Sequence, residues 1–190
     1  MSDRTNRRDE IVQAASTLFV QQGYNATSVR QIADAVGCTE AALYYHFKDG
    51  KRALLQAVVE CGVPKLLGVI DNCRKAESLR ELILLYAHNM AKSSVSRSGP
   101  FRWLIAEFPN LSEEERAVFH NKHRAFVGEL QGLVARFVAD PEEARVITWT
   151  MVCTGFGYLQ LFVNLDVQSI EDLPPETLFG RLADSLAAGR

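Results

Sequence analysis

The segment from Thr27 to Phe47, TSVRQIADAVGCTEAALYYHF, constrains the fold of this 190-residue chain most strongly. Its first half has the i, i+3, i+4, i+7 spacing of a helix with one buried face, set by Val29, Ile32, Ala33 and Val36. Gly37 ends this helix, because glycine adopts the left-handed conformation without a Cβ clash. Thr39 is a favourable N-cap for a second helix, in which Leu43 and Phe47 share a buried face. Two short helices joined by such a turn predict a helix-turn-helix, whose second helix can enter a DNA major groove.

The second helix of this motif is predicted to leave aromatic residues on its outer face. The outward set is Cys38, Glu40, Ala41, Tyr44, Tyr45 and His46. Adjacent exposed tyrosines are unusual, because exposed aromatic surface forgoes the free energy of burial. A DNA backbone would explain them, since phenol hydroxyls donate well to phosphate oxygens. In the alternative, one tyrosine packs on the first helix and the other shields the turn. The motif's known docking geometry favours DNA.

Three motifs in this region resemble the DNA-binding domain of the TetR family of transcriptional regulators. They are GYNAT at residues 23–27, IADAVG at 32–37 and LYYHF at 43–47, with Lys51 and Leu54 following. The resemblance covers residues 8–55 and implies that Thr27 contacts the DNA backbone and that Lys51 binds phosphate. The rest of the chain resembles the family only in length, helicity and an apolar C-terminal half.

The predicted DNA-binding domain spans residues 1–50, and residues 51–190 form the predicted effector-binding and dimerisation domain. At Asp49-Gly50, ahead of Lys51, this chain looks one residue longer than the family pattern, in which a phosphate-binding lysine follows. Glu40 could accept a hydrogen bond from the N4 amine of cytosine. The favoured interpretation is that Glu40 is a solvated acid in the first turn of the helix, stabilised by the helix dipole, because phosphates would repel its carboxylate. The predicted DNA-contacting residues are Thr27, Ser28, Arg30, Cys38, Thr39, Glu40, Ala41, Tyr44, Tyr45, His46, Lys48 and Lys51.

The charge and the cysteine content limit the classes of protein to which this chain can belong. The formal net charge of -2 is not that of a nonspecific nucleic-acid coat protein, so any DNA affinity has to come from the placement of charge. The N-terminal stretch lacks the apolar region of a secretory signal. The cysteines are widely spaced, which argues against a zinc site or a disulfide framework. A cytoplasmic protein is expected.

Helical signals continue through the rest of the chain. Ser112–Glu115 has the spacing of a capping box, and Asp140-Pro141 with Glu143 forms another helix start. Residues 96–100 have the composition of a loop, followed by a short helix from Pro100 to Phe108. Pro64 is expected to kink or split the fourth helix. No alternating β pattern is visible, so the predicted fold is all-α.

The stretch from Val146 to Leu165 contains no charged residue and is long enough to span a bilayer. Small polar residues within it favour burial between two protein surfaces instead. Together with the last helix, which Pro174-Pro175 precedes, it is predicted to build a four-helix dimer interface. The predicted interface residues are Val146, Thr150, Gly157, Leu161, Leu178, Leu182 and Leu186.

Aromatic residues are abundant in the larger domain, as they are in small-molecule pockets and also in ordinary cores. The candidate effector-binding residues are Tyr86, Trp103, Phe108, Phe119, His123, Phe126, Trp149 and Phe156. His120 and His123 stand i, i+3, but without an acidic or cysteine partner a solvated or pocket-lining pair is favoured over a metal site. No metal or cofactor is expected.

The sequence thus predicts a homodimeric, cytoplasmic repressor that binds double-stranded palindromic DNA and is released by an apolar small molecule. An enzyme is not expected, because there is no Gly-rich phosphate loop, no G-x-S-x-G and no H-E-x-x-H. The alternatives are a helical DNA-binding protein without an effector, whether constitutive or architectural, an activator, and a ligand-binding or catalytic helical domain with a vestigial DNA-binding head.

Overall fold

Eight α-helices make up most of the described part of the chain, residues 2–92 and 106–188 of a computed structural model. In chain order they are α1 (Ser2–Gln22), α2 (Val29–Ala35), α3 (Glu40–His46), α4 (Lys51–Asp71), α5 (Leu79–Lys92), α6 (Glu113–Val134), α7 (Pro141–Tyr158) and α8 (Pro175–Ala187). Short 3-10 turns follow α4 at Asn72–Lys75, precede α6 at Phe108–Asn110 and lie at Val167–Ser169. A π-helical turn, Leu159–Asn164, continues α7. Among these residues there is no strand, so the all-α prediction is confirmed.

The chain divides into two compact units. Unit 1 consists of Met1–Val63 and Ser98–Lys122. Its core is formed by apolar side chains from α1 to α4, joined by Leu111 and by the partly buried Phe108 and Phe119. The most buried of these core side chains are Ile11, Ala15, Phe19, Ile32, Leu43, Leu54 and Leu55.

Unit 2 consists of Pro64–Arg97 and His123–Arg190. Its core comes from α5, the second half of α6, α7 and α8, with the end of α4. Helix α8 packs on α5, where Tyr86 and Phe179 approach with ring centroids 6.1 Å apart. A continuous apolar core of this kind is what a helical domain of this size needs for stability.

The division differs from the predicted boundary at residue 50. The first half of α4 shares a core with the helix-turn-helix, because Leu54 and Leu55 are fully buried against it. The segment before α6 and the first turns of α6 also belong to unit 1, through Leu111 and Phe119. Sequence periodicity does not predict this division, since it shows which face of a helix is buried but not which helices that face packs against.

The predicted helix starts are confirmed. Ser112 N–H donates to Glu115 Oε2 and Glu115 N–H donates to Ser112 Oγ, which forms the capping box of α6. Asp140 accepts from the N–H groups of Glu142 and Glu143, and Pro141 opens α7. Helix α1 begins at Ser2, before residue 8, where the family resemblance starts. The fourth helix is not split at Pro64, because α4 is one helix from Lys51 to Asp71. The predicted loop at 96–100 and most of the short helix after it, including Trp103, lie outside the described residues.

Candidate nucleic-acid interface

The ends of α2 and the start of α3 are fixed by three local hydrogen-bond patterns. Ser28 and Gln31 form a reciprocal capping box at the start of α2. At its end, Gly37 has a φ of 65°, its N–H donates to Asp34 O, and Cys38 N–H donates to Ala33 O. This pair of bonds is a Schellman motif, which needs a residue that tolerates a left-handed backbone. Thr39 Oγ1 then accepts from Ala42 N–H at 3.2 Å and caps α3. The predicted helix-turn-helix is therefore present.

Helix α3 is anchored to unit 1 by one fully buried side chain, Leu43. The rest of α3 faces outward. Tyr44 is 45% exposed and Tyr45 is 65% exposed. Glu40 and Ala41 are also exposed, whereas Cys38 and His46 are half-buried. Tyr45 meets His46 edge to face, with ring centroids 5.4 Å apart. The face predicted to read DNA is thus open to a partner.

Three further predicted DNA contacts lie at the surface of unit 1. Ser28, Arg30 and Lys48 are all exposed. Arg30 is paired with Asp34 at 4.0 Å, but both side chains are more than two-thirds exposed, so this ion pair contributes little stability. The guanidinium of Arg30 therefore remains able to exchange the carboxylate for a phosphate oxygen.

Thr27 differs from what the resemblance implies. It is 2% exposed, its hydroxyl donates to Gly23 O at 2.7 Å, and it accepts from Gln22 Nε2 at 3.1 Å. A hydroxyl with both roles filled inside the protein has little capacity left for a phosphate oxygen. The Thr27 side chain thus closes the loop between α1 and α2, and the exposed residue next to it is Ser28.

Lys51 also differs from the phosphate-binding role that the resemblance implies. Its ammonium donates to three backbone carbonyls, those of Tyr24 at 2.9 Å, Asn25 at 3.3 Å and Thr27 at 3.1 Å. It also lies 4.3 Å from the centre of the Tyr24 ring, a cation–π contact. Burial lowers the pKa of Lys51, and the nearby carboxylates Glu115 and Glu107 act in the opposite direction. All three N–H donors are occupied, so Lys51 holds the 24–27 loop to the start of α4.

Tyr24 links this loop to α6. Its hydroxyl donates to the capping-box glutamate, Glu115. Burial raises the pKa of Tyr24, and the hydrogen bond to the carboxylate raises it further. Burial also acts to raise the pKa of Glu115, but the hydrogen bonds from Tyr24 and Ser112 outweigh it and leave the pKa below its ordinary value. The sequence predicted the capping box but not this second partner of Glu115, because the two residues are 91 positions apart.

The basic residues of α1 have structural contacts as well. Arg7 donates to Val36 O at 3.1 Å, and so satisfies a carbonyl at the C-terminal end of α2. Arg8 lies over the Phe47 ring, 5.3 Å from its centre. Both residues stand on a helix that begins at Ser2. Sequence reasoning missed these roles, because helix-end carbonyls leave no signature at distant positions.

The candidate effector-binding residues are divided between the two units. Phe108 and Phe119 contact each other edge to face in unit 1, at 5.4 Å between centroids. Tyr86 and Phe126 are buried in the core of unit 2. His123 lies 5.7 Å from Trp149 in unit 2, ring to ring. Trp149 and Phe156 are each about two-fifths exposed on α7, at 40% and 42%. The role of these residues in effector binding stays a prediction.

The candidate dimer residues separate into two groups. Val146 and Leu161 are each 50% exposed, and Thr150 and Gly157 are half-buried. On α8, Leu182 and Leu186 pack partly against the core of unit 2, and Leu178 is half-buried. The residues of α7 and its continuation are therefore the ones with most apolar surface left for a partner.

Two other classes of site have little support. Among the described residues, no cluster of three or more histidine, cysteine, aspartate or glutamate side chains could hold a metal ion. Pro141–Asn164 is long and apolar enough to cross a membrane, and 33% of its most apolar window is buried. Core helices of soluble proteins meet the same criterion, so this is weak support for a membrane span.

Comparison with known proteins identifies the N-terminal part of unit 1. A family model described as "Bacterial regulatory proteins, tetR family" matches residues 11–58. The chain is 39% identical over 67 residues to the HTH-type transcriptional repressor KstR2 of Rhodococcus jostii (strain RHA1). That match covers 35% of this chain and 32% of KstR2. The match thus spans about a third of the length of this curated relative.

Solved structures extend the likeness to the whole fold. PfmR, a TetR family transcriptional regulator of Thermus thermophilus, has a TM-score of 0.67 at 21% identity, over 96% of both chains. AibR, solved in complex with isovaleryl coenzyme A and operator DNA, has a TM-score of 0.66 at 20% identity, over 95% of this chain and 98% of AibR. Identities this low establish the fold alone. The helix-turn-helix geometry and the match over residues 11–58 identify the N-terminal domain of this chain as a DNA-binding domain of the TetR family type.

Proposed function

We propose that this protein is a homodimeric, cytoplasmic transcriptional repressor that binds a palindromic DNA operator and is released from it by an apolar small molecule. The observation that carries the proposal is the outward tyrosine face of α3, held on a short helix by one buried leucine. A helix presented in this way can enter a major groove while its phenols reach flanking phosphates. Selection of duplexes from a random pool, followed by fluorescence anisotropy with the selected duplex, tests it. No enrichment at low salt would refute DNA recognition.

Removing the Tyr44 hydroxyl tests the role of the tyrosine face. The Tyr44→Phe variant is expected to bind all duplexes roughly tenfold more weakly, because one hydrogen bond to a charged phosphate is lost. Discrimination between the selected duplex and its point variants is expected to stay unchanged, since phosphate contacts carry no direct sequence information. Anisotropy titrations on a panel of single-base variants measure both quantities. A loss confined to one base position would assign Tyr44 to base readout instead.

The dimer proposal rests on the exposed apolar residues of α7 and its π-helical continuation. Val146, Trp149, Phe156 and Leu161 are each between 40% and 50% exposed. Large apolar side chains grouped along one element indicate a protein interface more often than a free surface. Two copies related by a twofold axis also match the symmetry of a palindromic site.

Substituting Leu161 by lysine is expected to weaken self-association by roughly tenfold, because a charge is then desolvated in an apolar contact. The matched control is Val20→Lys, which places the same charge at an apolar residue of α1 that is 41% exposed. Sedimentation equilibrium against the 21.2 kDa chain mass gives the association constants. Equal behaviour of the two variants and the wild type would contradict the α7 interface.

The small-molecule part of the proposal is supported by the aromatic content of unit 2 and by one structural neighbour. Tyr86 and Phe126 are buried there, and His123 lies beside Trp149. AibR, a protein of the same fold, was solved with isovaleryl coenzyme A, whose apolar part is a short branched acyl chain, so short branched acyl compounds are the first probe class. Native mass spectrometry of the purified protein identifies molecules it retains. A retained molecule acts as an effector only if it changes DNA affinity, because a ligand shifts an equilibrium by its differential affinity for the two states.

A further inference from the structure

We propose that Gly50 is a positioning residue for the DNA-contacting face, because its missing Cβ lets the Tyr44 ring rest on the turn after α3 without being pushed aside. This inference rests on the proposed role of Tyr44 in phosphate binding. It concerns a different residue, in the turn that joins α3 to α4. The sequence singled out this turn as one residue longer than the family pattern, without giving the extra residue a function.

The backbone of Gly50 has two features that favour glycine. Its φ is 56°, in the left-handed region where side chains with a Cβ are strained. Its N–H donates to Phe47 O at 2.9 Å, and its carbonyl accepts from Leu54 N–H at 3.1 Å. Gly50 thus ends the turn that leaves α3 and also begins the hydrogen bonding of α4. The conformation is fixed from both sides and cannot relax freely when the residue is changed.

The space above Gly50 is occupied by Tyr44. A Cβ built on Gly50 would lie 3.0 Å from Tyr44 Cε1, 3.6 Å from Cζ and 3.5 Å from the phenol oxygen. The first distance is tighter than nine in ten real Cβ contacts, so a larger residue at position 50 requires the Tyr44 ring to shift by a few tenths of an ångström. One side of the Tyr44 ring therefore packs on the turn while 45% of the side chain stays exposed.

This packing unites the two interpretations that the sequence left open for Tyr44. The ring shields the turn, as the structural alternative requires, and the exposed part of the side chain stays available to DNA. A ring held on one side loses less side-chain entropy when its hydroxyl meets a phosphate oxygen. Tyr45, at 65% exposure, is more open than Tyr44. We therefore expect Gly50 to act on DNA affinity through Tyr44.

The chain contains a matched control for the backbone effect. Gly37 has a φ of 65°, close to the value at Gly50, but nothing lies within 4 Å of a Cβ built there. Gly37→Ala and Gly50→Ala thus share the strain of a left-handed alanine. Only Gly50→Ala also displaces Tyr44. Should either alanine variant fail to fold, Gly50→Asn and Gly37→Asn replace the pair, because asparagine tolerates this conformation better and still carries a Cβ.

The test measures affinity for the selected duplex by anisotropy and thermal stability by circular dichroism. Gly50→Ala is expected to weaken binding about tenfold, as the loss of one charged hydrogen bond would, and Gly37→Ala to change affinity by less than about threefold. The two melting temperatures are expected to fall by similar amounts. In a Tyr44→Ala background, Gly50→Ala is expected to have no further effect on affinity, which is the signature of action through Tyr44.

The outcomes separate this inference from the proposed function. If Tyr44→Ala leaves binding unchanged, the phosphate role of Tyr44 is wrong and the positioning role falls with it. If Tyr44→Ala weakens binding but Gly50→Ala does not, Tyr44 contacts DNA without help from Gly50. If Gly50→Ala weakens binding equally with and without Tyr44, Gly50 acts through the backbone alone. Each of the last two results overturns the inference while DNA recognition stands.

Discussion

Replacing Leu43 by alanine is expected to lower the free energy of unfolding of unit 1 by about 3 kcal/mol, the usual size for a buried leucine truncated in a core. Leu43 is fully buried and is the only fully buried residue that the seven-residue helix α3 contributes to this core. A helix this short has little stability of its own, so its packing holds it in place. Affinity for the selected duplex is expected to fall at least about tenfold, since a loosened α3 has to be ordered again on DNA.

Leu130→Ala is the matched control, because Leu130 is also fully buried but lies in the core of unit 2. It is expected to destabilise unit 2 by a similar amount and to leave affinity for the duplex within about twofold of the wild type. Peptide-resolved amide hydrogen exchange reports the local stability of each unit, and anisotropy reports the affinity. If both variants lose DNA binding equally, the effect of Leu43→Ala reflects general loss of structure and not its position under α3.

The helix-turn-helix could be predicted in detail because its determinants are local. The glycine at Gly37 and the N-cap at Thr39 each act within a few residues, and the structure confirms both. The capping box at Ser28 is equally local. The outward face of α3 followed from the same periodicity, since a helix with Leu43 inward has Tyr44 and Tyr45 outward.

The parts that escaped prediction depend on contacts between distant positions. Glu115 accepts the Tyr24 hydroxyl and Leu111 joins the core of unit 1, although neither is near the helix-turn-helix in sequence. The compact units depart from the predicted boundary for the same reason, because α4 shares its buried residues with α1 to α3. The resemblance to a family assigned Lys51 to phosphate, but the ammonium fills its donors with carbonyls of its own loop. Residue type at a matched position does not determine where a flexible side chain points.

Replacing Lys51 by methionine is expected to lower the stability of unit 1 by about 2 kcal/mol, because three loop carbonyls lose a charged donor. Methionine keeps the length and the apolar stem of the side chain, so the change isolates the ammonium. The cation–π contact with Tyr24 disappears with it. The salt dependence of DNA binding is expected to stay close to that of the wild type, since a lysine engaged with carbonyls releases no counterion from a phosphate.

Lys48→Met is the complementary variant, because Lys48 is an exposed lysine in the same turn region. It is expected to leave stability unchanged and to reduce the slope of log affinity against log salt concentration by about one per protomer. Denaturant unfolding and anisotropy titrations at several salt concentrations measure both variants. The reverse pattern, a stable Lys51→Met variant with the reduced slope, would show that Lys51 leaves its carbonyls for a phosphate on DNA. In that case Lys51 would have the phosphate-binding role that the resemblance implies, and its contacts with the loop carbonyls would belong to the DNA-free protein.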